Sequence, residues 1–236
     1  MNTSTDYQPL PDVVIERLQQ AVGDAAVLTD KTDCIAYGYD NSKQQSVPAA
    51  VVFPKQAAQV QGIVRICRDY HLPLTARGRG TGTTGATVPV YGGIVVSFEH
   101  MNRILEIDTA NRYARVEPGV LNQTLQNALA EQGFFWPPDP TSAASCTIGG
   151  NLAYNSAGPR AVKYGTPRDN TLGLTVVSGT GDSFKTGVTT TKGVVGYDLT
   201  RLMIGSEGTL GLITEATLKI VPLAESKKTM QAGFAS

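Results

Sequence analysis

Apolar residues recur at helical spacing in VVIERLQQAV, from Val13 to Val22, and predict an opening helix. A polar stretch, YGYDNSKQQSVP, leads into AAVVFP, an apolar run that predicts a short buried strand ended by Pro54. From Gln56 to Tyr70 the pattern VQGIVRICRDY is again amphipathic with helical period, and LPLTAR after it reads as a strand. Strand, helix and strand in that order predict a βαβ unit with parallel strands. GIVVSF, from Gly93 to Phe98, predicts a further strand.

Beyond that point the period changes. ILEIDTANRYARVEPG shows two alternating strands about a turn at Thr109 to Asn111, a hairpin pattern. A helix is predicted from Leu121 to Gln132, stopped by Gly133. FFWPPDP is a short aromatic strand entering a proline-rich turn, and LGLTVVSGTGDSFKTG is a second hairpin turning at Gly179 to Asp182. DLTRLMIG predicts a short helix with Asp198 as its N-cap, and TLGLITEATLKIVP a long strand ended by Pro222. The fold class is α+β, with two subdomains and a cleft between them. The expected division is an N-terminal helical segment over 1–45, a main domain over 46–224 (subdomains roughly 46–105 and 106–224) and a tail over 225–236.

Charge and composition narrow the partners. Lysine plus arginine number 20 and aspartate plus glutamate also number 20, so nothing invites nucleic acid or an anionic membrane. The N-terminus lacks the plan of a signal peptide, and no apolar run approaches the length of a transmembrane segment. Three widely spaced cysteines suit reduced thiols in a cytoplasmic protein. The two histidines do not stand at metal-ligand spacing, so no metal site is expected.

The chemistry concentrates in glycine-rich loops. GRGTGTTG, from Gly78 to Gly85, follows a predicted strand. Its glycines admit positive φ and let backbone amides approach an anion, and successive N–H groups in such a turn form a nest for phosphate oxygens. Thr81, Thr83, Arg79 and the preceding Arg77 offer further donors. GTGTTG also matches the dinucleotide fingerprint GxGxxG, with Glu99 roughly 20 residues on. That fingerprint needs a helix after the loop. Here ATVPVYGG follows, where Pro89 and Gly92-Gly93 forbid one, so an NAD module is the weaker reading.

A second cluster, PDPTSAASCTIGGNLAYNSAG, spans Pro138 to Gly158. Its small residues leave room for a flat or extended ligand, and Ser142, Ser145, Thr147, Asn151 and Asn155 add uncharged hydrogen-bonding groups. The plainer alternative is a loop and a helix start, with Ser and Asn as caps. A third, GSEGTLG from Gly205 to Gly211, reads as turn chemistry by itself. Catalytic groups are scarce: the chain has no GxSxG and no HExxH, Glu117 and Asp139 sit in turns, His71 ends a helix, and Cys146 is a packing residue. The catalytic residues are therefore unknown from sequence. Many binding loops with few acid–base groups point to a cofactor that carries the chemistry.

Taken in order, VVFP, LPLTARGRGTGTTG, GGIVVSF, ARVEPGV, PPDPTSAASCTIGGNLAYNSAGPRAVKYGT and LMIGSEGTLGLITEATLKIVP resemble the PCMH-type FAD-binding domain of the vanillyl-alcohol oxidase and p-cresol methylhydroxylase family. Within it the chain is similar to the D-2-hydroxyacid dehydrogenases, namely glycolate oxidase FAD subunits and D-lactate dehydrogenases. The resemblance implies that the domain over 46–224 binds FAD between two α+β subdomains and serves oxidation of a 2-hydroxy acid to a 2-oxo acid. It implies Arg77, Gly78, Arg79, Gly80, Thr81, Gly82 and Thr83 around the pyrophosphate. Pro138, Asp139, Ser145, Gly149, Asn151, Tyr154 and Asn155 would lie along the flavin and ribityl chain, with Ile213 at the adenine side. Some relatives bind FAD covalently through a histidine near the first loop; none stands in the loop here, which implies non-covalent FAD. Family enzymes carry a further, substrate-binding domain after the strand matching TLKIVP, and that domain, or a partner subunit, is expected to be needed. A non-catalytic FAD-binding or assembly subunit of a multi-subunit oxidase is the alternative.

Overall fold

The computed structural model describes residues 9–190, 192–226 and 228–234. Residues 1–8 of the expected 1–45 segment, and Lys227, Ala235 and Ser236 of the expected tail, lie outside the described residues. The first half contains α1 (Asp12–Val22), β1 (Val27–Leu28), α2 (Lys31–Cys34), β2 (Ala50–Val52), α3 (Ala57–Asp69), β3 (Leu74–Arg77) and β4 (Ile94–Ser97). Its sheet runs β1-β2-β4-β3, with β4 parallel to both β2 and β3. The βαβ unit expected from the sequence is therefore present, but β4 slots between its two strands. α1 and α3 bury Val14, Leu18, Val60 and Ile63 in one core with β2 and β4. Each such side chain removed from water contributes roughly 1.5–3 kcal/mol.

The second half contains β5 (Ile104–Asp108), β6 (Tyr113–Val116), α4 (Asn122–Ala130), β7 (Phe134–Phe135), α5 (Ile148–Tyr154), α6 (Ala161–Tyr164), β8 (Thr171–Val177), β9 (Ser183–Gly187), α7 (Leu199–Met203), β10 (Leu212–Lys219) and β11 (Val221–Pro222). Five of its strands form an antiparallel sheet, β5-β6-β10-β8-β9, over a second core around the fully buried Trp136. The α+β class is borne out, with helices packed on two separate main sheets. One strand departs from expectation. The run ending at Pro222 breaks at Ile220, whose amide bonds the Arg112 carbonyl at 3.0 Å. Val221–Pro222 then pairs with β7 in a two-stranded ladder, an edge position where proline's missing N–H is tolerated.

The two sheets are fixed to each other by the turn of the β8–β9 hairpin. Gln61 and Arg65 of α3 donate to the Gly181 carbonyl at 3.1 and 3.0 Å, and Arg68 to the Thr180 carbonyl at 2.8 Å. Gly181, at φ 83°, has no room for a Cβ beside the Arg65 side chain.

All three cysteines are buried and free. Burial pushes the Cys67 thiol up to about 12 and, with the charges of Asp33 and Asp30 adding to it, Cys34 to about 11. A raised thiol stays protonated and unreactive at pH 8. Titration with a disulfide reagent at pH 8 is expected to find almost no fast-reacting thiol in the native chain and three after denaturation. A fast-reacting thiol in the folded state would contradict this packing.

Candidate functional site

The glycine loop leaves the end of β3 and re-enters the sheet at β4 without a helix between them. Parallel neighbours need a long connection, and here it is the loop itself. The helix on which a Rossmann site depends is therefore absent from residues 78–93. Glu99, at the distance such a site would use, is held instead by Arg79 at 3.3 Å, Tyr37 at 2.9 Å and Ser97 at 3.2 Å. Burial, with the Glu99 bond adding to it, pushes the Tyr37 hydroxyl up to about 12, so it remains a donor.

Arg77 sits beneath the loop, 6% exposed. Its guanidinium donates to the Tyr39 carbonyl at 2.8 Å, the Ala36 carbonyl at 3.3 Å and the Thr87 hydroxyl at 3.5 Å. Burial pulls its pKa down, opposed by the charges of Asp40 and Glu99. Gly80, at φ 65°, passes directly over this guanidinium, and a Cβ there would overlap it. A Cβ on Gly78 would overlap the Thr147 hydroxyl across the cleft.

That hydroxyl caps α5 by accepting from the Gly150 amide at 3.2 Å, so the second cluster is indeed a loop and a helix start, capped by threonine. Asn155 closes the helix in the left-handed conformation, at φ 59°. Gly149 packs on Pro118, with 2.5 Å left for a Cβ, which draws the helix start close to the turn after β6. Asn151 is buried: its side chain accepts from Asn122 at 2.9 Å and donates to the Cys146 sulfur at 3.1 Å. Two contacts cross the cleft, from the Thr83 to the Tyr154 hydroxyl at 3.1 Å and from the Thr84 hydroxyl to the Glu207 carboxylate at 3.2 Å.

These elements enclose a cleft of about 250 Å³. Its wall contains Arg77, Gly78, Arg79, Gly80, Thr81, Gly82 and Thr83 from the first cluster, Gly149, Asn151 and Tyr154 from the second, and Ile213. Pro138, Asp139, Ser145 and Asn155 stand outside the wall. The Asp139 carboxylate pairs with Arg160 at 3.0 Å, and the Ser145 hydroxyl bonds the Ser142 carbonyl at 3.3 Å. Pro138 offers its carbonyl to Asn122 at 3.4 Å, and Asn155 accepts from the Arg168 amide at 3.4 Å. The sequence reading passed over Asp40, Thr84, Pro118 and the Ser206–Gly208 turn, all of which line the cleft, as does Thr147 of the second cluster. The third glycine cluster was thus a usable signal, hidden because glycine turns before strands are common. Beside Ile213, β10 shifts register against β8, and the extra residue Thr214 turns inward to donate to the Thr175 carbonyl at 3.2 Å.

Among the described residues, no acceptor takes the amide protons of Arg79 to Thr84. A row of unpartnered backbone donors over glycines is what a diphosphate requires. Gly78, Gly80 and Gly82 on one wall and Gly149 and Gly150 on the other bring bare backbone to the cleft. The residues present therefore fit a flavin dinucleotide.

Comparison with known proteins agrees. The sequence signature of the family described as FAD binding domain matches residues 48–187. Over 220 residues the chain is 46% identical to a glycolate oxidase subunit, GlcD, of Bacillus subtilis (strain 168), covering 93% of this chain and 47% of that protein. It is 42% identical over 179 residues to a D-lactate dehydrogenase of Anaerostipes hadrus, covering 76% and 38%. The solved structure of an alkyldihydroxyacetonephosphate synthase superposes with a TM-score of 0.83 at 25% identity, covering 95% of this chain and 43% of that one. The chain spans about half the length of the curated relatives it matches.

Proposed function

The chain belongs to the FAD-binding domain family, and from that premise we propose that it is the flavin-holding portion of a D-2-hydroxyacid dehydrogenase of the glycolate and D-lactate type. FAD is its cofactor. When bound, FAD accepts the hydride from the carbon that bears the substrate hydroxyl, leaving a 2-oxo acid. The observation that carries the reading is the run of unpartnered amides from Arg79 to Thr84, set across the cleft from the start of α5. Gly78 to Thr83 hold the pyrophosphate, chiefly through backbone N–H groups. Gly149, Asn151 and Tyr154 form the opposing wall, and Ile213 bounds the cleft at the β10 register shift. Arg77 supports the loop from behind. Pro138, Asp139, Ser145 and Asn155 act through the shape of the turns they hold.

FAD is bound non-covalently in this reading. His71 follows Tyr70, the C-cap of α3, in the left-handed region, and His100 packs its ring 5.3 Å from Phe53; neither lines the cleft. The groups that take the hydroxyl proton and bind the substrate carboxylate come from a further domain or a partner subunit. No helix among the described residues is long and apolar enough to cross a membrane. A cytoplasmic place belongs to the same proposal, supported by the three free thiols.

A dye-reduction assay over glycolate, D-lactate and D-2-hydroxyglutarate tests the division of labour. The chain alone is expected to turn over poorly with every one of them. Robust turnover by the chain alone would contradict the assignment of the substrate groups elsewhere. A non-catalytic FAD-binding or assembly subunit is the second reading, favoured by the scarcity of acid–base groups in the cleft wall. Silence with all hydroxy acids when the rest of the enzyme is supplied would favour it.

A further inference from the structure

The polar stretch YGYDNSKQQSVP lies directly behind the glycine loop. Asp40 is buried, and its carboxylate accepts from the Gly85 amide at 3.0 Å, the Ser42 amide at 2.8 Å and the Thr87 hydroxyl at 3.5 Å. Asn41 is exposed and meets the same loop with the opposite polarity. Its backbone amide donates to the Gly82 carbonyl at 3.0 Å, and its side-chain amide to the Thr81 carbonyl at 3.3 Å. Arg77 completes the attachment by drawing in the carbonyls of Tyr39 and Ala36.

The consequence follows from the planar trans peptide, whose C=O and N–H point in opposite directions. Holding the Thr81 carbonyl toward Asn41 turns the Gly82 amide the other way, and holding the Gly82 carbonyl does the same for the Thr83 amide. Gly82 and Thr83 both line the cleft, and neither amide has an acceptor among the described residues. A free glycine-rich loop has access to either orientation of these peptides. The reversed one would aim carbonyl oxygens at an anion and repel it.

From this we infer that Asn41, with Asp40 behind it, is a positioning residue that sets the polarity of the pyrophosphate loop. The inference rests on the reading of the cleft as the FAD seat. Asn41 acts through the loop, since it is outside the cleft wall.

Isothermal titration of the full chain with FAD, and separately with ADP, tests it in Asn41→Ala, Asn41→Asp, Asp40→Asn and Asp40→Ala. Asn41→Ala is expected to weaken both ligands by the same factor, about tenfold for one hydrogen bond's worth of ordering. The ligand-free melting temperature should hold, because Asn41 is exposed. Asn41→Asp, which sets a carboxylate oxygen against the Thr81 carbonyl, should weaken both further. Asp40→Asn keeps an oxygen for the Gly85 amide and should lose less than Asp40→Ala. Unchanged FAD and ADP affinity in both Asn41 variants would overturn the inference alone, as would a loss that only tracks a lower melting temperature. A folded wild-type chain that binds neither FAD nor ADP would overturn the cofactor seat, and this inference with it. Should Asp40→Ala not fold, the Asn41 pair decides the matter.

Discussion

Replacing Gly80 with valine is expected to abolish measurable FAD binding while leaving both cores folded. Gly80 holds φ 65°, where an L-residue costs about 1–2 kcal/mol and a β-branched one more. Its Cβ would also enter the space of the Arg77 guanidinium. The chain can escape either by rotating the loop or by displacing Arg77 from the Tyr39 and Ala36 carbonyls. Both routes move the amides of Arg79 to Thr84. Losing two hydrogen bonds to a charged diphosphate, at roughly 1.5–3 kcal/mol each, weakens binding by about a hundredfold or more. The change lies in a loop at the end of the sheet, so the far-ultraviolet circular dichroism should match the parent. Retained FAD affinity in a folded Gly80→Val protein would show that the loop is not the clamp.

Arg77→Lys should lower stability even though it keeps the positive charge. The guanidinium spans two main-chain carbonyls and a threonine hydroxyl from a buried position. An ammonium group cannot reproduce that fork, and it leaves at least one buried carbonyl unpaired. The expected cost is about 2 kcal/mol, or roughly 4–8 °C in melting temperature for a chain of this size. Denaturant unfolding of the flavin-free protein is the measurement. If Arg77 instead served phosphate directly as a charge, the lysine variant would melt like the parent and keep most of its affinity and its salt dependence. The two roles thus give opposite results on a protein without ligand.

The long periodic elements were legible because one face of each is buried. The α3 pattern places Val60, Ile63, Val64 and Cys67 on a single stripe, and the β5–β6 and β8–β9 hairpins turn where the sequence predicts. Three of the shortest elements were not legible. β1, α2 and α6 are too short to complete a period, and tertiary contacts alone hold them. The break at Ile220 was missed for a related reason: its partner is Arg112, brought near by the β6–β10 pairing rather than by local sequence.

In the site, glycines were the readable part, since their spacing states where backbone must approach a ligand. The partners that support them come from far along the chain. Nothing in LPLTAR announces that Arg77 reaches back to Ala36 and Tyr39, and nothing in YGYDNSKQQSVP announces the glycine loop as its target. The same limit explains Asp139, whose ion pair with Arg160 closes a turn just outside the cleft wall.

The most direct test titrates FAD into the purified, flavin-free chain and follows the quenching of flavin fluorescence, with ADP as competitor. The account predicts saturable uptake of one FAD per chain, reversed by ADP and releasing intact FAD on denaturation. A folded chain that takes up no FAD, or whose uptake ADP does not touch, would contradict the assignment of the cleft between the glycine loop and α5 as the cofactor's seat.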